Sequence, residues 1–156
     1  MSGMQIRRRI LGVDLGRARI GVAVSDELGM LAHPVETIPA RSDACQRIAE
    51  IVREKNAERV VIGLPRHMNG SVGIGATEAL AFAEKLRGCV GCEVITWDER
   101  MTTMAAARAL RDSGQKTRNS RGVVDQVAAQ MILQGYLDAL QSARSLDEEA
   151  GAPQRD

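Results

Sequence analysis

The sequence predicts a single α/β domain with a five-stranded mixed sheet and helices on its faces. The chain has 156 residues, close to the length of one domain at about 150 residues each. Apolar residues make up 44% and charged residues 26%, as in ordinary globular proteins. Strand-like runs come first and helical periodicities follow. The resulting order, β-β-β-α-β-α-β-α-α, favours a meander continued by strand–helix units.

The first three predicted strands are joined by short turns. They cover Arg8 to Asp14, Ile20 to Ser25 and Met30 to Ile38. Turns this short favour antiparallel neighbours. Pro34 in the third strand indicates an edge of the sheet, because proline cannot donate a hydrogen bond to a neighbouring strand. We therefore expect a three-strand antiparallel meander.

The middle of the chain alternates between helices and buried strands. A helix capped by Ser42 leads to the strand Arg59 to Leu64, whose continuous apolar run is typical of a parallel strand buried on both faces. A second helix ends at Gly88, a common C-cap residue, before the strand Glu93 to Trp97. These two parallel strands complete the predicted sheet.

Two further helices are predicted in the last third of the chain. The first begins at Thr102 or Thr103 and ends near Asp112, and the second covers Val123 to Leu140. The segment 113–122 between them holds no apolar residue, so we expect a mobile loop there.

The predicted domain covers residues 1–145, and residues 146–156 are expected to form a polar, disordered tail. No stretch approaches the roughly 20 apolar residues that cross a bilayer, and no small-residue cleavage site follows Arg7 to Arg9. We expect a cytoplasmic protein without membrane contact. The three cysteines are too few for a disulfide framework, and Cys89 and Cys92 are interpreted as thiols entering a strand.

Composition restricts how this protein could contact nucleic acid. The net charge is +1, and aromatic residues make up only 2% of the chain. Three rings are too few for a protein that stacks successive bases on aromatic platforms. Any contact with nucleic acid is therefore expected to run through phosphates and to depend on local basic residues.

Acidic residues stand where strands end and where the last helix begins. Asp14 closes the first strand, Asp98 and Glu99 follow the fifth, and Asp125 lies on the apolar side of the last helix. Each position also has a purely structural interpretation. Asp14 could be a turn residue, Asp98 and Glu99 could mark the entry to a helix, and Asp125 could be favoured by the helix dipole. If the three positions converge, carboxylate oxygens suit Mg²⁺ or Mn²⁺, and two such ions can clamp a phosphodiester.

Basic residues cluster near the same segments, and the alternative is a solvated surface. As phosphate contacts, the sequence predicts Arg17, Arg19, Arg66, Arg100, Lys116, Arg118 and Arg121.

Four blocks of the sequence resemble the YqgF/RuvX family, in the order that the family has them. They are Gly12 to Asp26, Val61 to Pro65 followed by Met68 to Ser71, Asp98 to Thr103, and Gly122 to Leu137. The resemblance implies an RNase H-like fold and a metal-binding triad of Asp14, Glu99 and Asp125, with Glu99 preferred to Asp98. Met101 and Ala18 depart from the family pattern, but neither departure removes a carboxylate.

The resemblance implies a metal-dependent endonuclease with one of two substrates: the 5′ side of pre-16S ribosomal RNA or the four-way Holliday junction. A homodimer would suit the two-fold symmetric junction. Two other classes stay open from the residues alone. One is a catalytically silent nucleic-acid-binding module. The other is an actin-like ATP-phosphotransferase lobe, which the single-domain length disfavours.

Overall fold

The computed structural model describes residues 9–65, 74–99 and 118–151, with side chains of the last helix described over 125–146. Within these ranges it contains β1 Arg9–Leu15, β2 Arg19–Ser25, β3 Ala32–Pro39, α1 Ala44–Lys55, β4 Ala57–Leu64, α2 Ile74–Arg87, β5 Glu93–Asp98 and α3 Arg118–Gly151.

The five strands form one mixed sheet in the order β3-β2-β1-β4-β5. The pairs β1–β2 and β2–β3 are antiparallel, whereas β4 runs parallel to both β1 and β5. This arrangement confirms the predicted meander followed by two parallel strands. Pro34 lies on β3, which is an edge strand as its proline predicted.

Helices cover both faces of the sheet. On one face, called here the α1–α2 face, large aliphatic side chains such as Leu11, Val13 and Ile62 pack against Ile48 of α1 and Leu86 of α2. The opposite face, called the α3 face, carries a smaller core. Its members from the strands are Ile10, Ala23, Ala32 and Val61, which pack under Ala128, Ala129, Ile132, Leu133, Tyr136 and Leu137 of α3.

One of the two predicted helix boundaries, the N-cap of α1, is wrong by one residue. Asp43, not Ser42, occupies the N-cap position of α1, and its side chain makes no capping hydrogen bond. The left-handed C-cap belongs to Asn56, with φ 54°, whose backbone N–H reaches the carbonyls at the end of α1. The second helix, α2, ends at Arg87, directly before Gly88 as predicted, and the N–H of Gly88 donates to the carbonyl of Lys85 over 3.2 Å.

The last helix is longer than predicted. It begins at Arg118, inside the segment 113–122 that was expected to be a loop, and continues to Gly151. The predicted polar tail therefore starts within this helix, and residues 152–156 lie outside the described residues. The predicted helix from Thr102 or Thr103 to Asp112 also lies outside them. In the described part of the chain, no helix combines the length and apolarity needed to span a membrane.

Candidate metal centre

Three glycines allow α3 to approach the sheet closely. A Cβ atom at Gly12 would lie 2.6 Å from the Cβ of Leu133, and one at Gly63 would lie 2.5 Å from Cδ1 of Ile132. A Cβ at Gly21 would overlap the backbone carbonyl of Asp125. At Asp125, about two turns into the helix, α3 therefore rests directly on β2, at a distance that only glycine permits. This close contact positions Asp125 over the sheet.

Asp14 lies in the same row of the sheet as this contact. It pairs with Gly21 across the antiparallel β1–β2 ladder, so both residues project onto the α3 face. Asp14 is only 9% exposed. Because adjacent strands lie about 4.8 Å apart, the carboxyl group of Asp14 stands one strand away from the position where Asp125 packs on Gly21.

Glu99 completes the row on the other side of β1. Its Oε1 atom would lie 2.9 Å from a Cβ at Gly63, and Glu99 itself is 7% exposed. The register places Val13 beside Ile62, so Asp14 and Gly63 follow next on neighbouring strands. The three acidic residues thus share the α3 face and are called here the acidic row. Asp125 lies over β2, Asp14 on β1 and Glu99 over β4.

The register also separates Glu99 from its neighbour Asp98. Asp98 pairs with Leu64, which belongs to the α1–α2 core. Trp97, one residue earlier, pairs with Gly63 and packs on the α3 side. Because side chains alternate along a strand, Asp98 is directed to the α1–α2 face. The geometry supplies a physical reason for preferring Glu99 that the sequence alone did not contain.

Arg19 forms an ion pair with Asp125. Its Nε atom donates to Oδ2 of Asp125 over 2.8 Å, and the two side chains are 40% and 19% exposed. Sequence analysis predicted Arg19 as a phosphate contact and did not anticipate this pairing. The partners are 106 residues apart in the chain, so no local pattern could have indicated it.

A series of glutamines fixes α3 against the edge strand. Gln126 donates to Oγ1 of Thr37 at 3.1 Å, and Gln130 donates to the carbonyl of Ala32 at 2.9 Å. Gln134 accepts from the backbone N–H of Ala32 at 2.9 Å. The spacing of four residues puts the three amides on one side of the helix. This spacing was visible in the sequence and is the signal that sequence analysis missed.

The three carboxylates suit a hard divalent cation by donor type, since all are oxygen ligands. They do not form a closed cluster in this conformation. Across residues 9–65, 74–99 and 118–151, no group of three or more His, Cys, Asp or Glu side chains converges closely enough to hold a metal ion. The guanidinium of Arg19 already binds Asp125, the most exposed of the three acidic residues.

The remaining predicted site residues are placed only in part. Arg17 is exposed in the turn between β1 and β2. Arg118 and Arg121 belong to the first turns of α3, and their side chains lie outside the described set. Arg66, Arg100 and Lys116 also lie outside the described residues. Their predicted contacts with phosphate stay predictions.

An aromatic pair adjoins the carboxylate row. Trp97 meets Tyr136 edge to face, with ring centroids 5.5 Å apart. The phenol oxygen of Tyr136 accepts a hydrogen bond of 2.6 Å from Nη1 of Arg59. Two of the three aromatic side chains therefore stand together on the α3 face, an arrangement that counting them could not predict.

The cysteines lie on the other side of the sheet. Cys45, Cys89 and Cys92 are free thiols and pack with the α1–α2 core. Burial raises the pKa of the Cys45 thiol, and the neighbouring thiol of Cys89 raises it further. A raised pKa keeps the thiol protonated and unreactive at neutral pH. Cys92 directly precedes β5, in keeping with the interpretation of Cys89 and Cys92 as thiols entering a strand.

The chain is similar to a known protein family and to bacterial proteins. The family model described as RuvX, Holliday junction resolvase, matches residues 8–139. A protein of Nocardia farcinica named as a pre-16S rRNA nuclease is 51% identical over 156 residues, 94% of this chain and 87% of the relative. One of Bacillus cytotoxicus with the same name is 43% identical over 135 residues, 84% of this chain and 98% of the relative.

A solved structure shares the fold. It is RuvC of Thermus thermophilus in complex with a Holliday junction substrate, with a TM-score of 0.53 at 14% sequence identity. The match covers 86% of this chain and 96% of that one. At this level of identity the likeness shows a common RNase H-like fold, as the sequence blocks predicted.

Proposed function

This chain belongs to the RuvX family of Holliday junction resolvases, and we propose that it is an endonuclease that hydrolyses phosphodiester bonds of structured nucleic acid with the help of Mg²⁺ or Mn²⁺. Family membership and the names of the relatives support the reaction class. The proposal for this chain's own residues rests on the row of Asp14, Glu99 and Asp125.

The single observation that carries the proposal is that three acidic residues from distant segments share one face of the sheet. Asp14 and Glu99 are both less than a tenth exposed there, and Asp125 lies over the neighbouring strand β2. A structural role would not require three acids in one row. Holding a divalent cation is a function for which three oxygen-donating side chains on one face are suited by donor type.

Each acid has a distinct part in the proposed reaction. A bound divalent ion would supply Lewis-acid stabilisation of the charge that develops on the phosphate and would lower the pKa of an attacking water. Asp14, fixed on the central strand, and Glu99, packed against Gly63, would hold the ion in place. Asp125 would complete the ligand set from α3. We expect products with 5′-phosphate and 3′-hydroxyl ends.

Basic residues around the row are proposed to hold the substrate backbone. Arg17, Arg19, Arg66, Arg100, Lys116, Arg118 and Arg121 are the candidates. Neutralising Arg118 and Arg121 together should weaken binding for every sequence and reduce the salt dependence of the affinity by about one counterion per lost contact. Unchanged affinity and unchanged salt dependence in this double variant would remove these two residues from the interface.

Two substrates are supported by different findings. The names of the relatives favour trimming of pre-16S ribosomal RNA. The description of the family favours a four-way DNA junction, on which a homodimer would present one site to each of two symmetric strands. We place both activities in the cytoplasm.

The test is a cleavage assay that offers both substrates side by side, with Mg²⁺ and with Mn²⁺. The protein is incubated with a synthetic four-way junction and with a 5′-extended ribosomal RNA precursor, and Asp14→Asn serves as the blank. Paired symmetric nicks in the junction alone would identify a resolvase. Cleavage of the RNA alone would identify a ribosomal RNA maturation nuclease. Cleavage of neither substrate would contradict the proposed activity and favour a silent binding module.

A further inference from the structure

The pairing of Arg19 with Asp125 connects the two groups of residues that the proposed function needs. Asp125 is a proposed metal ligand, and Arg19 is a proposed phosphate contact. In the structure they bind each other, with 2.8 Å between Nε and Oδ2. While this bond is formed, Oδ2 of Asp125 is not available to a metal ion, and Nε of Arg19 is not available to a phosphate.

The two partners differ in how easily they leave the pair. The Arg19 side chain is 40% exposed, so it can turn into solvent without becoming a buried charge. Asp125 is only 19% exposed and lies in a row with two other acids. A partly buried carboxylate that loses its cation is destabilised unless another cation replaces it. Release of Arg19 is therefore favourable only when a second positive charge arrives.

The backbone keeps Arg19 beside the site after release. Its carbonyl accepts a hydrogen bond of 3.0 Å from the N–H of Gly16, which closes the turn between β1 and β2. On its other side Arg19 pairs with Pro39 of β3. A guanidinium anchored in this way can swing outward by side-chain rotation alone, and its planar donors match a phosphate group.

We propose that Arg19 is a built-in counter-ion that a divalent cation replaces at Asp125. In the metal-free chain the guanidinium neutralises this carboxylate and holds α3 in place at Asp125. When metal is bound, the guanidinium is free to contact a substrate phosphate, so metal binding and substrate binding support each other. This inference rests on the proposed metal site and adds a positioning role for Arg19.

The first experiment measures Mn²⁺ affinity directly, by titration calorimetry or by the electron paramagnetic resonance of free Mn²⁺, without substrate. Because the pair competes with metal, Arg19→Gln should bind Mn²⁺ about two- to fivefold more tightly than the unmodified chain. The matched control is Arg41→Gln, which removes the same charge from an exposed position outside the proposed site. Screening should limit its effect to less than about twofold.

The opposite result would overturn the inference. If Arg19 orients Asp125 for the metal instead of competing with it, Arg19→Gln should weaken Mn²⁺ binding or leave it unchanged. An equal increase of the Mn²⁺ affinity in both variants would show a general charge effect. It would also contradict the proposal that metal replaces Arg19 at Asp125. If Arg19→Gln does not fold, as judged by its thermal transition, the Mn²⁺ affinity of Arg19→Lys is compared with that of the control variant instead. Lysine keeps the charge but lacks the Nε donor that binds Asp125.

The second experiment measures affinity for the four-way junction with and without Ca²⁺, a hard cation with oxygen ligands. If a metal ion replaces Arg19 at Asp125, Arg19→Gln should weaken binding of the junction only when Ca²⁺ is present. Without metal, Arg19 is already paired with Asp125 and does not contact the junction. An equal loss in both conditions would contradict the exchange. Absence of any Mn²⁺ site that Asp14→Asn removes would instead contradict the proposed function, so the two failures are distinguishable.

Discussion

The two faces of the sheet are built from the same five strands but in different ways. The α1–α2 face is filled with large aliphatic side chains, including Leu11, Ile48 and Ile62, each fully buried. The α3 face has glycine at three of the contact points with its helix. It is also where the acidic row stands. The first face is packed as an ordinary core, and the second gives up side-chain volume to bring a helix and three carboxylates together.

This difference leads us to propose that the function of the domain lies on the α3 face. Large side chains on one face stabilise the domain, because each buried aliphatic group contributes about 1.5–3 kcal/mol. Glycines on the other face fix the distance between α3 and the sheet. Substitutions on the α1–α2 face should therefore change mainly the free energy of unfolding. Substitutions on the α3 face at the acidic row should change mainly the cleavage rate.

The largest expected effect is on cleavage, from Asp125→Asn. This change removes a proposed metal ligand but retains the size of the side chain and its position over Gly21. Because a metal ion supplies several kcal/mol of transition-state stabilisation, the cleavage rate should fall at least about 100-fold while the fold is kept. Circular dichroism and single-turnover cleavage would be compared for the two proteins. Cleavage at the unmodified rate, with loss of the metal ligand confirmed, would refute the assignment of Asp125.

Next in size is Gly21→Val, which tests whether the close approach of α3 is needed. The new side chain would overlap the backbone of Asp125, so the helix must move at that point. Overpacking of this kind costs about 1–3 kcal/mol of stability, and misplacing a ligand by about 1 Å costs about 100-fold in rate. Gly91→Ala is the control, because a Cβ there meets nothing within 4 Å. Full activity in Gly21→Val would show that the glycine contact does not position the site.

The other face is tested by Ile48→Ala. Ile48 is fully buried between α1 and the sheet, and its truncation leaves a cavity. The free energy of unfolding should fall by about 2–5 kcal/mol, while the cleavage rate per folded molecule stays unchanged. Chemical denaturation and cleavage at a temperature well below the transition measure the two quantities. A loss of cleavage without a loss of stability would contradict the separation of the faces.

The smallest effect concerns the ion pair between β3 and α1. Arg47 donates to both carboxylate oxygens of Glu36, at 2.6 and 2.9 Å. These hydrogen bonds hold the pKa of Glu36 below its ordinary value of 4.5. A carboxylate with a lowered pKa stabilises the fold above its unfolded pKa, and the contribution disappears as the pH falls through the folded value.

At neutral pH, Glu36→Gln should therefore lower the free energy of unfolding by about 0.5–1 kcal/mol. The difference between the two proteins should vanish in strongly acidic solution. Glu27→Gln serves as the control, since Glu27 is 72% exposed and its bond to Arg9 is 3.4 Å long. A difference that persists at low pH would mean that the effect comes from something other than the charge of Glu36.

Much of the fold could be predicted because its signals are local. Apolar runs, short turns and the proline of β3 gave the strands and their pairing, and helical periodicity gave α1 and α2. The start of α3 was missed because residues 118–122 hold no apolar side chain, and polarity alone does not distinguish a loop from a helix held by tertiary contacts. The carboxylates were predicted individually from their places at element ends. The glycine contacts and the pairing of Arg19 with Asp125 depend on residues far apart in the chain, so sequence periodicity could not reveal them.

The most direct test of the central claim compares two neighbouring acids on opposite faces of the sheet. Metal-dependent cleavage of both candidate substrates would be measured for Glu99→Gln and for Asp98→Asn. Glu99 lies on the α3 face beside Gly63, and Asp98 is paired with Leu64 of the other core. A loss of at least about 100-fold is expected for Glu99→Gln, because a metal ligand is removed, and a far smaller change for Asp98→Asn. If Asp98→Asn abolished cleavage and Glu99→Gln did not, the metal site would not be the row on the α3 face.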